Sequence, residues 1–191
     1  MMCREPNPDA FTKLPDAYHV RNCRQDELDI LKRMPFDTTN DVDAYVGYMD
    51  EFYDRVYAPQ PGLFYNRCLF VYDGDDVPIG TGFILKSYDT FNAIHWLKVV
   101  REHEGRGIGR ALLSIILGAL KTDDFPVYLH TQPESDRAIK LYSDFGFCLL
   151  TDSVIGCRPN HLHKGLDTLR RTTPRADFVR LRTVPAPPQF L

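Results

Sequence analysis

Leu97-Lys98-Val99-Val100-Arg101-Glu102-His103-Glu104-Gly105-Arg106-Gly107-Ile108-Gly109-Arg110-Ala111-Leu112-Leu113 reads as a strand that ends, a short polar loop, and three glycines at alternate positions leading into a helix. Glycine permits positive φ and lets a ligand approach bare backbone. The first N–H groups of a helix lack intrahelical partners, and its dipole is positive at that end. Together these make an anion site, for which a pyrophosphate is the usual occupant. Spacing excludes two common phosphate readers. A dinucleotide fingerprint needs G-x-G-x-x-G/A, but Arg110 and Leu112 stand at the third positions of the two registers, and no Gly-Lys-Ser or Gly-Lys-Thr supplies a P-loop. The competing explanation is that the glycines only allow tight helix–strand packing.

Downstream, Val127-Tyr128-Leu129-His130-Thr131 forms a strand, and the helix that follows, Ser135 to Phe145, stops at Gly146. Ala138, Leu141, Tyr142 and Phe145 share one helix face at i, i+3, i+4 and i+7. Three are core residues by type. Periodicity alone leaves Tyr142 open as a fourth core residue or a functional one.

Taken together, the two segments resemble the GNAT superfamily of N-acetyltransferases. The acyl-CoA motif of that family, a strand with V-x-P followed by Q/R-x-x-G-x-G/A, is matched by Val99, Gly107 and Gly109. The next motif, N-x-x-A-x-x-L-Y-x-x-x-G-F, is matched by Ala138, Leu141, Tyr142, Gly146 and Phe147. Arg101 stands where proline is common, Glu104 replaces the Gln/Arg, and Ser135 replaces the Asn that would contact the cofactor. The resemblance covers roughly residues 79–147.

The resemblance implies acetyl-CoA as donor, a primary amine as acceptor, direct attack through a ternary complex, and no metal. The backbone of Leu97, Lys98 and Val99 would pair with the pantetheine, in a gap where the family's sheet splays. A backbone N–H near Val99 or Val100 would polarise the thioester carbonyl. Glu104, Gly105, Arg106, Gly107, Ile108, Gly109 and Arg110 would surround the pyrophosphate, with Ser135 and Ala138 at the cofactor from the second helix. Tyr142 would protonate the departing thiolate. An ammonium acceptor must first lose a proton, and His130 is the candidate base, at a position where some relatives that acetylate protein N-termini carry a glutamate. Its unperturbed pKa of about 6.5 suits that role. His95 on the preceding strand is the rival, and strand alternation alone leaves the choice open. A catalytically silent acetyl-CoA sensor of the same fold is the alternative. A phosphate-binding protein for another nucleotide is a third reading.

Outward from this centre, residues 18–23, 68–72, 79–85 and 92–100 read as strands, with Asp73-Gly74-Asp75-Asp76 as a hairpin turn. Residues 26–34 and 41–56 read as helices, the second capped by Asn40, followed later by a helix at 107–120. Beyond Gly146 come a strand at 147–150, a helix at 160–171 and a last strand at 178–183, with Pro-rich irregular ends. Hairpins in the middle and alternating elements after them mean an α/β domain, with a mixed and mostly antiparallel sheet and helices on both faces. Residues 18–156 form the core of a single domain covering 1–191, and 157–191 add a helix, a final strand and a tail.

The chain has 191 residues, 43% hydrophobic and 26% charged, enough for one buried core. A net charge of −3 gives no field for polyanions, so a nucleic-acid partner is not expected. No apolar run approaches a membrane span, and no signal sequence is read at the start. Five cysteines at irregular spacing read as free thiols in the cytoplasm. Cys157, His161 and His163 lack a fourth ligand for zinc. Asp37, Asp41, Asp43, Asp50, Glu51 and Asp54, with no Lys or Arg among residues 37–54, would form an acidic wall for a cationic acceptor if they are not simply a solvated face. Arg158, Lys164, Arg170, Arg171, Arg175, Arg180 and Arg182 make the last segment basic, most simply a solvated face. Expected partners are a small-molecule amine or peptide amine, with a homodimer as an option.

Overall fold

A computed structural model describes residues 1–190 apart from Thr38, Asn40, Asp41, Tyr88 and Asp89. The expected Asn40 cap, and Asp41 of the acidic group, therefore lie outside the described residues. In chain order the elements begin with β1 (Met2–Cys3), β2 (His19–Asn22), α1 (Leu28–Arg33), α2 (Asp43–Val56), α3 (Pro61–Arg67), β3 (Leu69–Tyr72), β4 (Pro78–Ser87), β5 (Phe91–Val99) and α4 (Ile108–Gly118). They continue with β6 (Val127–Leu129), α5 (Asp136–Asp144), β7 (Leu149–Leu150), β8 (Val154–Ile155), β9 (Arg158–Pro159), α6 (Leu162–Thr172), α7 (Arg175–Phe178) and β10 (Thr183–Val184). Six strands share one sheet in the order β1-β6-β5-β4-β3-β2. Its described ladders are antiparallel except for the parallel join of β5 to β6. That join pairs Ala93 with Tyr128 and Ile94 with Leu129, while β5 runs on to Val99. Among the described residues, no helix is long and apolar enough to cross a membrane.

The chain divides into two compact units, one comprising Met1–Phe11, Lys86–Ile94 and Ala119–Leu191, the other Thr12–Leu85 and His95–Gly118. In the second unit, α4 packs on a sheet face that glycine keeps low. A Cβ on Gly82 would sit 2.7 Å from Leu97 Cδ1 and 3.2 Å from Ile116 Cδ1, so only hydrogen fits between strand and helix. The next residue, Phe83, points to the opposite face by strand alternation and joins a core with Tyr57, Phe64 and Phe70. Helices therefore cover both faces of this part of the sheet. Met49 and Phe64 are the buried residues of α2 and α3.

In the first unit, Met2 and Cys3 pair with Tyr128 and Val127, so β6 has a neighbour on each edge. Phe91, Tyr128, Leu150, Ile155 and Phe190 form the core of this unit. Both chain ends thus differ from the irregular segments expected. Cys3 and Phe190 are fully buried, because short apolar pieces beside the prolines dock on existing elements. The expected strand at 178–183 is corrected too. Pro174 caps the helical turn α7, Val179 is 70% exposed, and only Thr183–Val184 pairs, in parallel with β7. Alternation there marks no buried face. The helix α3 and the β8–β9 hairpin were not legible beforehand, the hairpin because each strand has two residues.

Candidate active site

The candidate residues fall into two groups, one in each unit. In the second unit, β5 ends at Val99, a helical turn spans Arg101–His103, and Glu104 leads into the glycine turn. Gly105 and Gly107 have φ of 76° and 82°, a region that side-chain-bearing residues avoid. A Cβ on Gly107 would meet nothing within 4 Å. Packing therefore does not require glycine at position 107, and backbone conformation beside open space does. Ala111 donates the first helical hydrogen bond, to the Gly107 carbonyl at 3.0 Å. The N–H groups of Ile108 and Gly109 come before it, in the first turn, where the helix supplies no acceptor. Residues 104–107 are exposed. An exposed turn with positive-φ glycines at the start of a helix fits a diphosphate.

The charges around this turn are partly offset. Glu104 Oε1 lies 3.9 Å from Lys98 Nζ, which also contacts Asp37 Oδ1 at 2.8 Å. Asp37 Oδ2 accepts from the Arg101 N–H at 2.9 Å. Arg106 donates to the Glu102 carbonyl at 2.9 Å, which holds its guanidinium beside the turn. The acidic wall expected from residues 37–54 is largely neutralised. Lys32 pairs with Asp50 at 2.6 Å and Arg33 with Asp43 at 2.7 Å. Those cations come from α1, which the spacing along α2 alone does not reveal. Tyr45 and Tyr48 are exposed, whereas Tyr57 is core.

Within β5, Trp96 has φ of 47°, an uncommon conformation for a bulky residue inside a strand. Neighbouring strand residues normally face opposite ways. Here His95 and Trp96 both reach the Tyr57 hydroxyl, through Nδ1 at 2.9 Å and Nε1 at 3.0 Å. The positive φ turns the strand so that both side chains share a face. Burial pushes the Tyr57 pKa well above the ordinary phenol value, so the hydroxyl keeps its proton. The indole N–H can only donate, so the Tyr57 oxygen accepts from it, while the direction of the bond to His95 Nδ1 follows the imidazole tautomer. Sequence reasoning missed this network because it pictured β5 as a regular strand.

In the first unit, Ser135 is the N-cap residue of α5, but its side chain makes no capping bond. Ala138 is half-buried on the first turns. Tyr142 is 7% exposed, packs against Phe147 at 5.9 Å between ring centres, and has its pKa pushed up to about 12 by burial. Gly146 ends the helix region with φ of 94°, where a Cβ would lie 3.0 Å from the Glu5 carbonyl oxygen. His130 follows β6 and lines a cavity of about 390 Å³ together with Glu134, Arg158, His161 and Lys164. Tyr142 is not among the lining residues. Desolvation of the His130 ring, and then the Arg158 guanidinium, hold its pKa below the ordinary imidazole value. Among the described residues, no group of three His, Cys, Asp or Glu side chains is arranged for a metal.

Comparison with known proteins adds the family. The model of the acetyltransferase (GNAT) family matches residues 31–147, more than half of the chain. No curated protein matches the sequence significantly. Among solved structures, Arabidopsis thaliana Naa50 in complex with the bisubstrate analogue CoA-Ac-MVNAL is 25% identical with a TM-score of 0.53, covering 75% of this chain and 91% of that one. The spermidine N-acetyltransferase of Vibrio cholerae in complex with CoA and spermine is 18% identical with a TM-score of 0.51, covering 76% and 89%. A Pyrococcus horikoshii chain is matched over only 37% of its length, at 20% identity over 56% of this chain and a TM-score of 0.40. The glycine turn, the mixed sheet and the family match agree, and the chain belongs to the GNAT family of acetyltransferases, enzymes that use acetyl-CoA.

Proposed function

We propose that this enzyme transfers the acetyl group of acetyl-CoA to a primary amine by direct attack within a ternary complex, with residues 1–191 serving as one catalytic domain. The observation that carries the reading is the exposed, positive-φ turn at Gly105 and Gly107 ahead of α4, whose open space suits a diphosphate. Acetyl-CoA, when bound, supplies the activated thioester. Backbone N–H groups from Gly105 to Arg110 hold the diphosphate, assisted by Arg106, and Leu97, Lys98 and Val99 offer strand backbone to the pantetheine amides. Ser135 and Ala138, at the start of α5, are the remaining residues assigned to the cofactor. The Val100 N–H donates to the Ile79 carbonyl at 2.9 Å, so of the two expected donors the Val99 N–H is the one that polarises the acetyl carbonyl.

The amine nitrogen forms the new N–C bond as the C–S bond breaks. One proton passes from nitrogen to His130, and one from Tyr142 to sulfur. Both residues return to their starting states through solvent. His130 is favoured over His95 as base because His95 Nδ1 is engaged by the Tyr57 hydroxyl at 2.9 Å, whereas His130 lines the cavity. A phenol pKa of about 12 keeps Tyr142 protonated and ready to donate. The similarity to Naa50, solved with a CoA–acetyl–peptide conjugate, supports a peptide α-amine as acceptor. Five free cysteines favour a reducing compartment such as the cytoplasm.

Calorimetric titration tests the assignment. Wild type should bind acetyl-CoA at one site with NAD silent, and Gly107→Glu, which brings a carboxylate to the turn, should lose that binding. Unchanged binding by Gly107→Glu overturns the site.

A further inference from the structure

The basic C-terminal segment has no role in the reaction as described, yet two of its cations open onto the same cavity as His130. Arg158, on β9, and Lys164, on α6, line it. Among the described residues, neither side chain has an ion-pair partner. Glu134 is the single carboxylate of the lining, which leaves a net positive charge even with both imidazoles neutral. The floor is aliphatic, from Leu129, Ile139, Leu150, Ile155 and Leu169. Asn160 fixes the wall by donating to the carbonyls of Leu150 at 2.7 Å and Asp152 at 2.9 Å. Gly165 lies flat on Pro133, where a Cβ would be 3.6 Å from its ring.

We propose that this cavity receives the acceptor, and that it selects a peptide whose α-amine is followed closely by an acidic side chain, over a lysine-rich peptide or a polyamine. The inference rests on the reading of His130 as the base.

Three physical arguments support it. A volume of about 390 Å³ falls within the range of small-ligand pockets, enough for the first one or two residues of a peptide. The aliphatic floor takes an apolar first side chain, while two cations without protein partners provide what a carboxylate lacks. A positive surround also disfavours an ammonium. An α-amine with a pKa of about 8 sheds its proton far more readily than an alkylamine at about 10.4. A polyamine would in addition bring several like charges up to Arg158 and Lys164.

The experiment compares kcat/KM for Met-Glu-Asn-Ala-Leu, Met-Val-Asn-Ala-Leu, Met-Lys-Asn-Ala-Leu and spermidine, by CoA thiol release and product mass. Wild type should prefer the glutamate peptide over the lysine peptide by about tenfold or more, with spermidine poorest. The exposed pair Arg158→Gln and Lys164→Gln, combined, should remove that preference through KM for the glutamate peptide. Equal use of the three peptides, a preference for lysine or spermidine, or a preference that survives the double variant overturns the inference. In those cases turnover shows that the acetyltransferase reading stands. No turnover with any acceptor while acetyl-CoA binds overturns the acceptor reading, and this inference with it.

Discussion

Tyr142 and His130 carry opposite demands, and their surroundings push them apart accordingly. Burial raises the phenol to about 12, and desolvation with a nearby guanidinium lowers the imidazole. A folded-state pKa below the usual value means that His130 is already neutral, and able to accept a proton, at pH values under the ordinary imidazole midpoint of about 6.5. The rising limb of kcat with pH should therefore lie below that value, and Tyr142 should cause no fall up to about pH 10. Tyr142→Phe should lower kcat about 10²-fold while leaving calorimetric affinity for acetyl-CoA unchanged. A variant with wild-type turnover would falsify the acid assignment. At this scale the sequence was informative for residues whose type carries the chemistry, such as Gly107, Tyr142 and His130. It was silent on Arg158 and Lys164, since a basic run reads the same on a solvated face and around a cavity.

The two strands that matter most behaved differently under periodic reading. β6 and α5 obey their periods, so Val127–Leu129 and the stop at Gly146 were visible in advance. β5 breaks its period at Trp96, a residue type that signals no bulge, so the shared face of His95 and Trp96 could not be read from alternation. Tyr57 lies on the chain between α2 and α3, far from β5 in sequence, and only tertiary structure shows that its hydroxyl ties both side chains. Tyr57→Phe keeps the ring but removes the acceptor of the indole N–H and the partner of His95 Nδ1. Urea unfolding should show a loss of about 1–3 kcal/mol. Turnover should fall with it and KM for acetyl-CoA should rise, because β5 backbone is both the proposed oxyanion donor and the proposed partner of the pantetheine. Unaltered stability and rate would show that the hydroxyl does not hold this part of the strand.

Across the molecule, each unit has its own apolar centre, one built on Tyr57, Phe64 and Phe83, the other on Phe91, Tyr128 and Phe190. Alternation and helical spacing found most elements of the first of these centres. The second depends on two-residue strands and a tail segment, which are too short to show a period. The Phe190 ring lies tilted against Phe91 with centres 4.0 Å apart and is fully buried, so the tail is part of the core. Phe190→Ala should cost about 3–5 kcal/mol in urea unfolding, the usual loss for a buried aromatic. A loss under about 0.5 kcal/mol would mean the ring does not pack there. The irregular residue of β5 has one more consequence. Trp96 is the sole tryptophan in the chain, so the ultraviolet emission of the folded protein is a one-site optical signal. It arises at the strand proposed to greet the thioester, and it reports there without any added label.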